Sequence, residues 1–192
     1  MGKSKIICDN DFLASFLWTG EEQLLITLFK NRLYVPGAVY TELEVLKNSK
    51  LGSHVYTSFL SLINSKELQV LEIKLDSADE KLMEKIKKEF KLKFGLEIGF
   101  GELQMVTLAI SLGASFVINT ASNNLKDIVS FVEKKQIDNI TTMDALCLAY
   151  EKKIKTFQEL EEIKKRMLAK KRRLPNITVE EYYNNSYKKN KY

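Results

Sequence analysis

Three acidic residues stand where an acid has chemical use. Asp9 follows the apolar run Ile6-Ile7-Cys8, at the point where a buried strand ends. Glu42 lies beside the stripe Val39, Leu43 and Leu46 of a helix, at the edge of its buried face, where it can point into a cleft. Glu102 opens an otherwise apolar helix containing Leu103, Met105, Val106, Leu108, Ala109 and Ile110. Each residue also has an ordinary structural use: helix cap, exposed glutamate, or first-turn acid favoured by the helix dipole. Asp11 is the expected cap of the helix beginning at Phe12, which leaves Asp9 available for another role. Gathered in one cleft, such hard oxygen donors hold Mg²⁺ or Mn²⁺. The ion lowers the pKa of a bound water and stabilises both oxygens of an in-line phosphoryl displacement. Crowded carboxylates repel one another, so without a cation one of them tends to keep a proton.

The residues for other chemistries are scarce. The single histidine, His54, lies on a polar helical segment and reads as a surface or half-buried residue rather than a catalyst. Cys8 and Cys147 sit inside apolar segments, as two buried thiols would in a reducing compartment. One histidine and two such thiols do not make a zinc site. The sequence has no Walker loop, no G-x-G-x-x-G and no G-x-S-x-G elbow. Nucleophile–histidine hydrolysis is disfavoured accordingly.

The elements that must position the acids alternate between strand and helix. Residues 5–8, 32–35, 68–73, 115–118 and 139–142 read as strands. Helical spacing is expected over 12–17, 21–29, 36–47, 54–64, 76–93, 101–112, 125–134, 143–153 and 156–170. Pro36 is expected in the first turn of its helix, Asp76 as the cap of the long charged helix, and Ser122 or Asn123 as the cap before Leu125. This alternation predicts an α/β fold with a mainly parallel central sheet. In such sheets ligands bind beyond the carboxyl ends of the strands.

The 192 residues are 45% hydrophobic and carry a formal charge of +5. That length and apolar content predict one globular domain rather than a disordered chain. No apolar run is long enough to span a bilayer. Ile6-Ile7-Cys8 is too short for a signal peptide's apolar region, so a cytoplasmic location is expected. The charge is uneven: residues 163–192 carry +8, leaving about −3 for the remainder. The division expected is a domain over 1–153 followed by a basic helix and tail over 154–192. Within the tail, Lys164, Lys165, Arg166, Lys170, Lys171, Arg172 and Arg173 are candidate RNA-phosphate contacts. Tyr182, Tyr183, Tyr187 and Tyr192 are candidates to stack on single-stranded bases. The alternatives for this segment are a solvated helix face with a frayed end, or docking on a second subunit.

Three stretches together resemble the motifs of PIN-domain ribonucleases. Ile6 to Leu13 looks like the family's opening strand, Asp and following Leu. Val35-Pro36-Gly37-Ala38-Val39-Tyr40-Thr41-Glu42-Leu43 is similar to its "V-P-x-x-V-x-x-E-L" run, and Gly99 to Ala109 to its "G-x-G-E-x-x-x-x-x-L-A" helix. Leu112-Gly113-Ala114 then leads into a strand, and the order and spacing match over roughly residues 4–150. The resemblance implies a three-layer α/β/α PIN-like fold and a Mg²⁺- or Mn²⁺-dependent endoribonuclease. Asp9 and Glu102 would hold the metal most directly, with Glu42 as the third acid. Asp11 would occupy a supporting position. Many stand-alone prokaryotic relatives are toxins of toxin–antitoxin pairs and many form homodimers, which implies an antitoxin or a second copy as partner besides RNA. An apolar groove that receives an antitoxin helix is a further possibility. After the fourth strand the family usually has one or two aspartates, where this sequence reads Ile118-Asn119-Thr120. Asn119 offers only a neutral oxygen, and Asp144 is the nearest substitute or else an ordinary first-turn acid. The alternative function is therefore a catalytically impaired member that binds RNA or protein.

Overall fold

The computed structural model describes residues 5–117 and 125–191. β1 (Ile6–Cys8) leads into α1 (Asn10–Leu17) and α2 (Glu22–Phe29). β2 (Leu33–Pro36) is followed by α3 (Gly37–Glu44), a 3-10 turn (Val45–Asn48), α4 (Ser53–Asn64) and β3 (Leu68–Leu71). The helices α5 (Ala78–Phe94) and α6 (Phe100–Leu112) precede β4 (Ser115–Val117), and α7 (Leu125–Glu133) precedes β5 (Asn139–Ile140). The chain continues through α8 (Thr142–Glu151) and α9 (Phe157–Ala169) into α10 (Val179–Tyr182), a π turn (Tyr183–Tyr187) and α11 (Lys188–Lys191).

The strands form one five-stranded sheet in the order β3-β2-β1-β4-β5, and every pairing is parallel. The chain therefore starts at the centre, winds outward to β3, and returns past β1 to β4. That reversal opens a crevice at the carboxyl ends of β1 and β4, the usual ligand position of an open parallel sheet. Cys8 pairs in register with Val117, so the two strands end together.

Side-chain alternation divides the core. Ile6 and Cys8 enter one apolar cluster while Ile7 enters another, and Leu33 and Val35 part from Tyr34 in the same way. The first cluster is completed by α1 to α4, α8, α9 and the C-terminal segment; the second by α5, α6 and α7. Helices thus cover both faces, which is why the central strands are apolar throughout rather than alternating. The architecture is α/β, and no helix among the described residues is long and apolar enough to cross a membrane.

Several boundaries differ from expectation: β3 ends at Leu71 rather than 73, β5 ends at Ile140 because Thr141 caps α8, and three more have clear local causes. Pro36 closes β2 and caps α3 instead of lying inside it, since its extended backbone (ψ 153°) continues the strand. Ser77, not Asp76, caps α5: its side chain accepts from the Glu80 N–H, while Asp76 turns through a left-handed φ of 58°. The helix from Pro36 tightens into the 3-10 turn after Glu44, short of Lys47. Ile118, Ser122 and Asn123 lie outside the described residues.

The C-terminal segment is integral to the first core. Leu160, Ile163, Met167 and Val179 are buried there, and Tyr182, Tyr183 and Tyr187 pack against it. Capping boxes at Thr141/Asp144, Thr156/Glu159 and Thr178/Glu181 start three consecutive helices of this half. The Thr156 and Thr178 N–H groups hold the Glu159 and Glu181 carboxyls below their ordinary pKa.

Candidate functional site

Asp9 is the residue between the end of β1 and the start of α1. Its Oδ1 accepts the Phe12 N–H at 2.7 Å, so Asp9 is the helix N-cap. This corrects the expectation that Asp11 caps the helix. The helix begins at Asn10, which places Phe12 at the third position where an N-cap side chain reaches. Asp11 instead projects from the first turn and meets Arg172 Nη1 at 3.4 Å.

Glu42 is carried by α3. The position of α3 is set by Gln104 of α6, whose Oε1 accepts the Ala38 N–H at 3.0 Å. Asn10 Nδ2 then donates to Glu42 Oε2 at 2.9 Å, linking the β1 end to α3. Gly101 makes room on the other side, because a Cβ there would lie 3.1 Å from Glu42 Oε1. Glu102, in the first turn of α6, accepts the Gly99 N–H on Oε2 at 3.3 Å. Asn10 and Gln104 had no place in the sequence-based site. A signal for Gln104 was present: it is the lone amide in the apolar run Leu103 to Ala109.

The outcome is a cleft of about 320 Å³ lined by Asp9, Asp11, Glu42 and Glu102, with Asn10, Val39 and the Gly99–Gly101 turn. Among the described residues no lysine, arginine or histidine lines it, although Arg172 meets Asp11 at its margin. Four acids facing one concavity focus negative potential there and favour a cation. Yet among the described residues no three His, Cys, Asp or Glu side chains are grouped closely enough to hold one ion as they stand. The donor set fits a hard divalent cation in kind, being all oxygen and held on three elements. It is not a ready-made three-carboxylate cage.

The other expected positions are dispersed. Asn119 lies outside the described residues. Asp144 does not line the cleft: its Oδ2 accepts from the Thr141 N–H (2.8 Å) and hydroxyl (2.7 Å), and its Oδ1 accepts from the Tyr182 hydroxyl at 3.0 Å. It is a capping-box acid that also fastens the C-terminal segment. Lys164 corrects the picture of a solvated basic stripe. It is buried, donates to the Ile177 carbonyl at 2.6 Å and pairs with Glu161. Lys165 pairs with Glu162, Arg166 with Glu21 and Arg172 with Asp11. Lys170 lies over the Trp18 ring. Lys171 and Arg173 are exposed. The tail tyrosines are engaged internally too. Tyr183 packs edge-on to Tyr150 and Phe157, and the Tyr187 hydroxyl donates to Glu151. Tyr192 lies outside the described residues.

Both cysteines are free and buried. Burial, reinforced by the neighbouring Asp9 charge, pushes the Cys8 thiol well above its ordinary pKa. Burial, with the charges of Asp144 and Glu151, pushes Cys147 up to about 12. Neither is an activated nucleophile. His54 is exposed and meets the Trp18 ring edge-on. Compared with known proteins, the chain matches no protein-family model, and no curated protein matches its sequence.

Proposed function

We propose that this chain is a PIN-like, metal-dependent endoribonuclease that hydrolyses RNA phosphodiester bonds. One observation carries the proposal. Asp9, Glu42 and Glu102, separated by dozens of residues in sequence, line a single cleft at the carboxyl edge of a parallel sheet. Asp9 and Glu102 would hold Mg²⁺ or Mn²⁺ most directly and Glu42 would complete the acidic set. When bound, the cation supplies Lewis acidity and a more acidic water. The chain's own part is positioning. The α1 backbone fixes one Asp9 oxygen, Asn10 fixes Glu42, and the glycines at 99 and 101 let carboxylates lie close to the α6 backbone. A role as the toxin of a toxin–antitoxin pair, with RNA, an antitoxin or a second copy as partner, accompanies this proposal on resemblance alone.

A second function is favoured by a specific observation: among the described residues no three acids are grouped closely enough to hold one ion, while Asp9 and Glu102 both hold helix termini. On that basis the cleft binds RNA or protein without cutting. Titration with Mn²⁺, followed by RNA cleavage in Mn²⁺ and in EDTA, separates the two. The nuclease requires saturable cation binding that Asp9→Asn weakens at least tenfold and cleavage that EDTA abolishes. Cation binding without cleavage selects the impaired member, and no cation binding removes the metal site altogether.

A further inference from the structure

A second cleft, of opposite charge, lies between the C-terminal part of α5 and the end of α7. It measures about 460 Å³ and is lined by Glu89, Leu92, Lys93, Phe131, Lys134 and Lys135. Lys93 Nζ stands 4.4 Å from the Phe94 ring centre and 5.8 Å from that of Phe131. Lys135 Nζ stands 5.6 Å from the same Phe131 ring. Two ammonium groups therefore flank one buried aromatic. Lys93 and Lys134 line the same cleft, and partial desolvation together with that like charge lowers the affinity of Lys93 for a proton, opposed only in part by Asp127.

Three cations meet one lining acid. Glu89 pairs with Lys135 at 3.4 Å and also with Lys85 at 3.8 Å. Among the described residues, neither Lys93 nor Lys134 forms an ion pair. Two ammonium groups held side by side repel unless an anion shares them, and a phosphate offers several oxygens that accept charge-assisted hydrogen bonds at once. Leu92, 87% exposed, forms an apolar lip beside the lysines. The tail cations contrast with this cluster, because Lys164, Lys165, Arg166 and Arg172 already pair with acids of the same chain.

We propose that the α5–α7 cleft is a phosphate-binding site, which takes the phosphate group of an RNA strand or of a free nucleotide between Lys93 and Lys134 with Lys135 alongside. It is separate from the acidic cleft and needs no metal.

The test uses the full chain in EDTA, which withholds the cation that the proposed cleavage requires. Binding of a fluorescent oligouridylate is followed by anisotropy across a salt series, for wild type and for Lys93→Gln/Lys134→Gln. Amide NMR shifts of Lys93, Lys134 and Phe131 are followed during titration with UMP and with inorganic phosphate. The site predicts at least a tenfold loss of oligonucleotide affinity in the double variant. It also predicts a salt slope shallower by about 0.7, the value for one lost phosphate contact on a single strand. UMP and phosphate should move the three amides in wild type and leave them still in the variant. If the amides respond but oligonucleotide affinity is unchanged by the substitutions, the ligand is a free phosphate compound. If neither measurement distinguishes a variant of unchanged circular dichroism from wild type, the proposal is overturned. Failure here leaves the Mn²⁺ titration of the acidic cleft unaffected, and the reverse also holds.

Discussion

Asp9 carries a structural and a chemical burden, and substitution can part them. Asparagine caps a helix about as well as aspartate, whereas alanine loses about 1 kcal/mol at such a position. Asp9→Asn is therefore expected to keep the urea midpoint of wild type while losing Mn²⁺ affinity; Asp9→Ala should lose both. Equal losses of stability in the two variants would show that the charge itself holds the fold. The thiols give a pH dependence. Cys147 has its pKa raised from 9.0 to about 12 and Tyr182 from 10.0 to about 12, the tyrosine by burial first and the Asp144 charge second. Between about pH 9 and 12 the unfolded chain releases protons that the folded chain retains. Stability is thus fully present below pH 9 and falls as pH rises through that window. Cys147→Ala should flatten the alkaline limb of stability against pH, measured by chemical denaturation; an unaltered limb would mean the thiol does not contribute. The three acids were legible in the sequence because each interrupts an apolar pattern. Their hydrogen bonds were not. That Asp9 caps α1 depends on whether the helix begins at Asn10 or Phe12, a matter of a half turn.

At the scale of elements, α3 and α6 are registered by one buried amide. Gln104 is 8% exposed and bonds the Ala38 N–H, the group that would otherwise be an unsatisfied donor at a helix start. Gln104→Leu keeps the volume and removes the acceptor. It is expected to cost about 1–3 kcal/mol in urea denaturation and to reduce Mn²⁺ affinity by loosening Glu42. Stability lost with Mn²⁺ affinity intact would separate α3 placement from the cleft. A helix as uniformly apolar as α6, with Leu103 to Ala109 all buried, was readable to within one residue from its length and its bounding glycines, and the alternation of strand and helix pointed to the parallel sheet. Asp76 misled because it is a good capping type one residue too early; its left-handed backbone, a conformation Asp tolerates, puts Ser77 in the cap.

For the whole molecule, the C-terminal third is a structural member. Its basic charge was plain in the sequence, but its partners were not, since Glu21 and Asp11 are brought to it only by the fold. Removing residues 177–192 takes Val179 out of the first core and removes the Ile177 carbonyl to which Lys164 donates. The truncated chain is expected to lose about 3 kcal/mol, a fall in Tm of roughly 6–12 °C in a thermal scan. A Tm within a degree of the full chain would show the segment to be an accessory. Charge-neutralising Lys171→Gln, at an exposed position, is consequently the cleaner way to ask whether the tail touches RNA. The links from Arg166 to Glu21 and from Arg172 to Asp11 span 145 and 161 positions of chain. Closures of that length, added to an all-parallel sheet, are slow to find by diffusion. Refolding from denaturant should accordingly be sluggish and lose yield as concentration rises, because apolar strands wait uncovered while the distant halves search for each other.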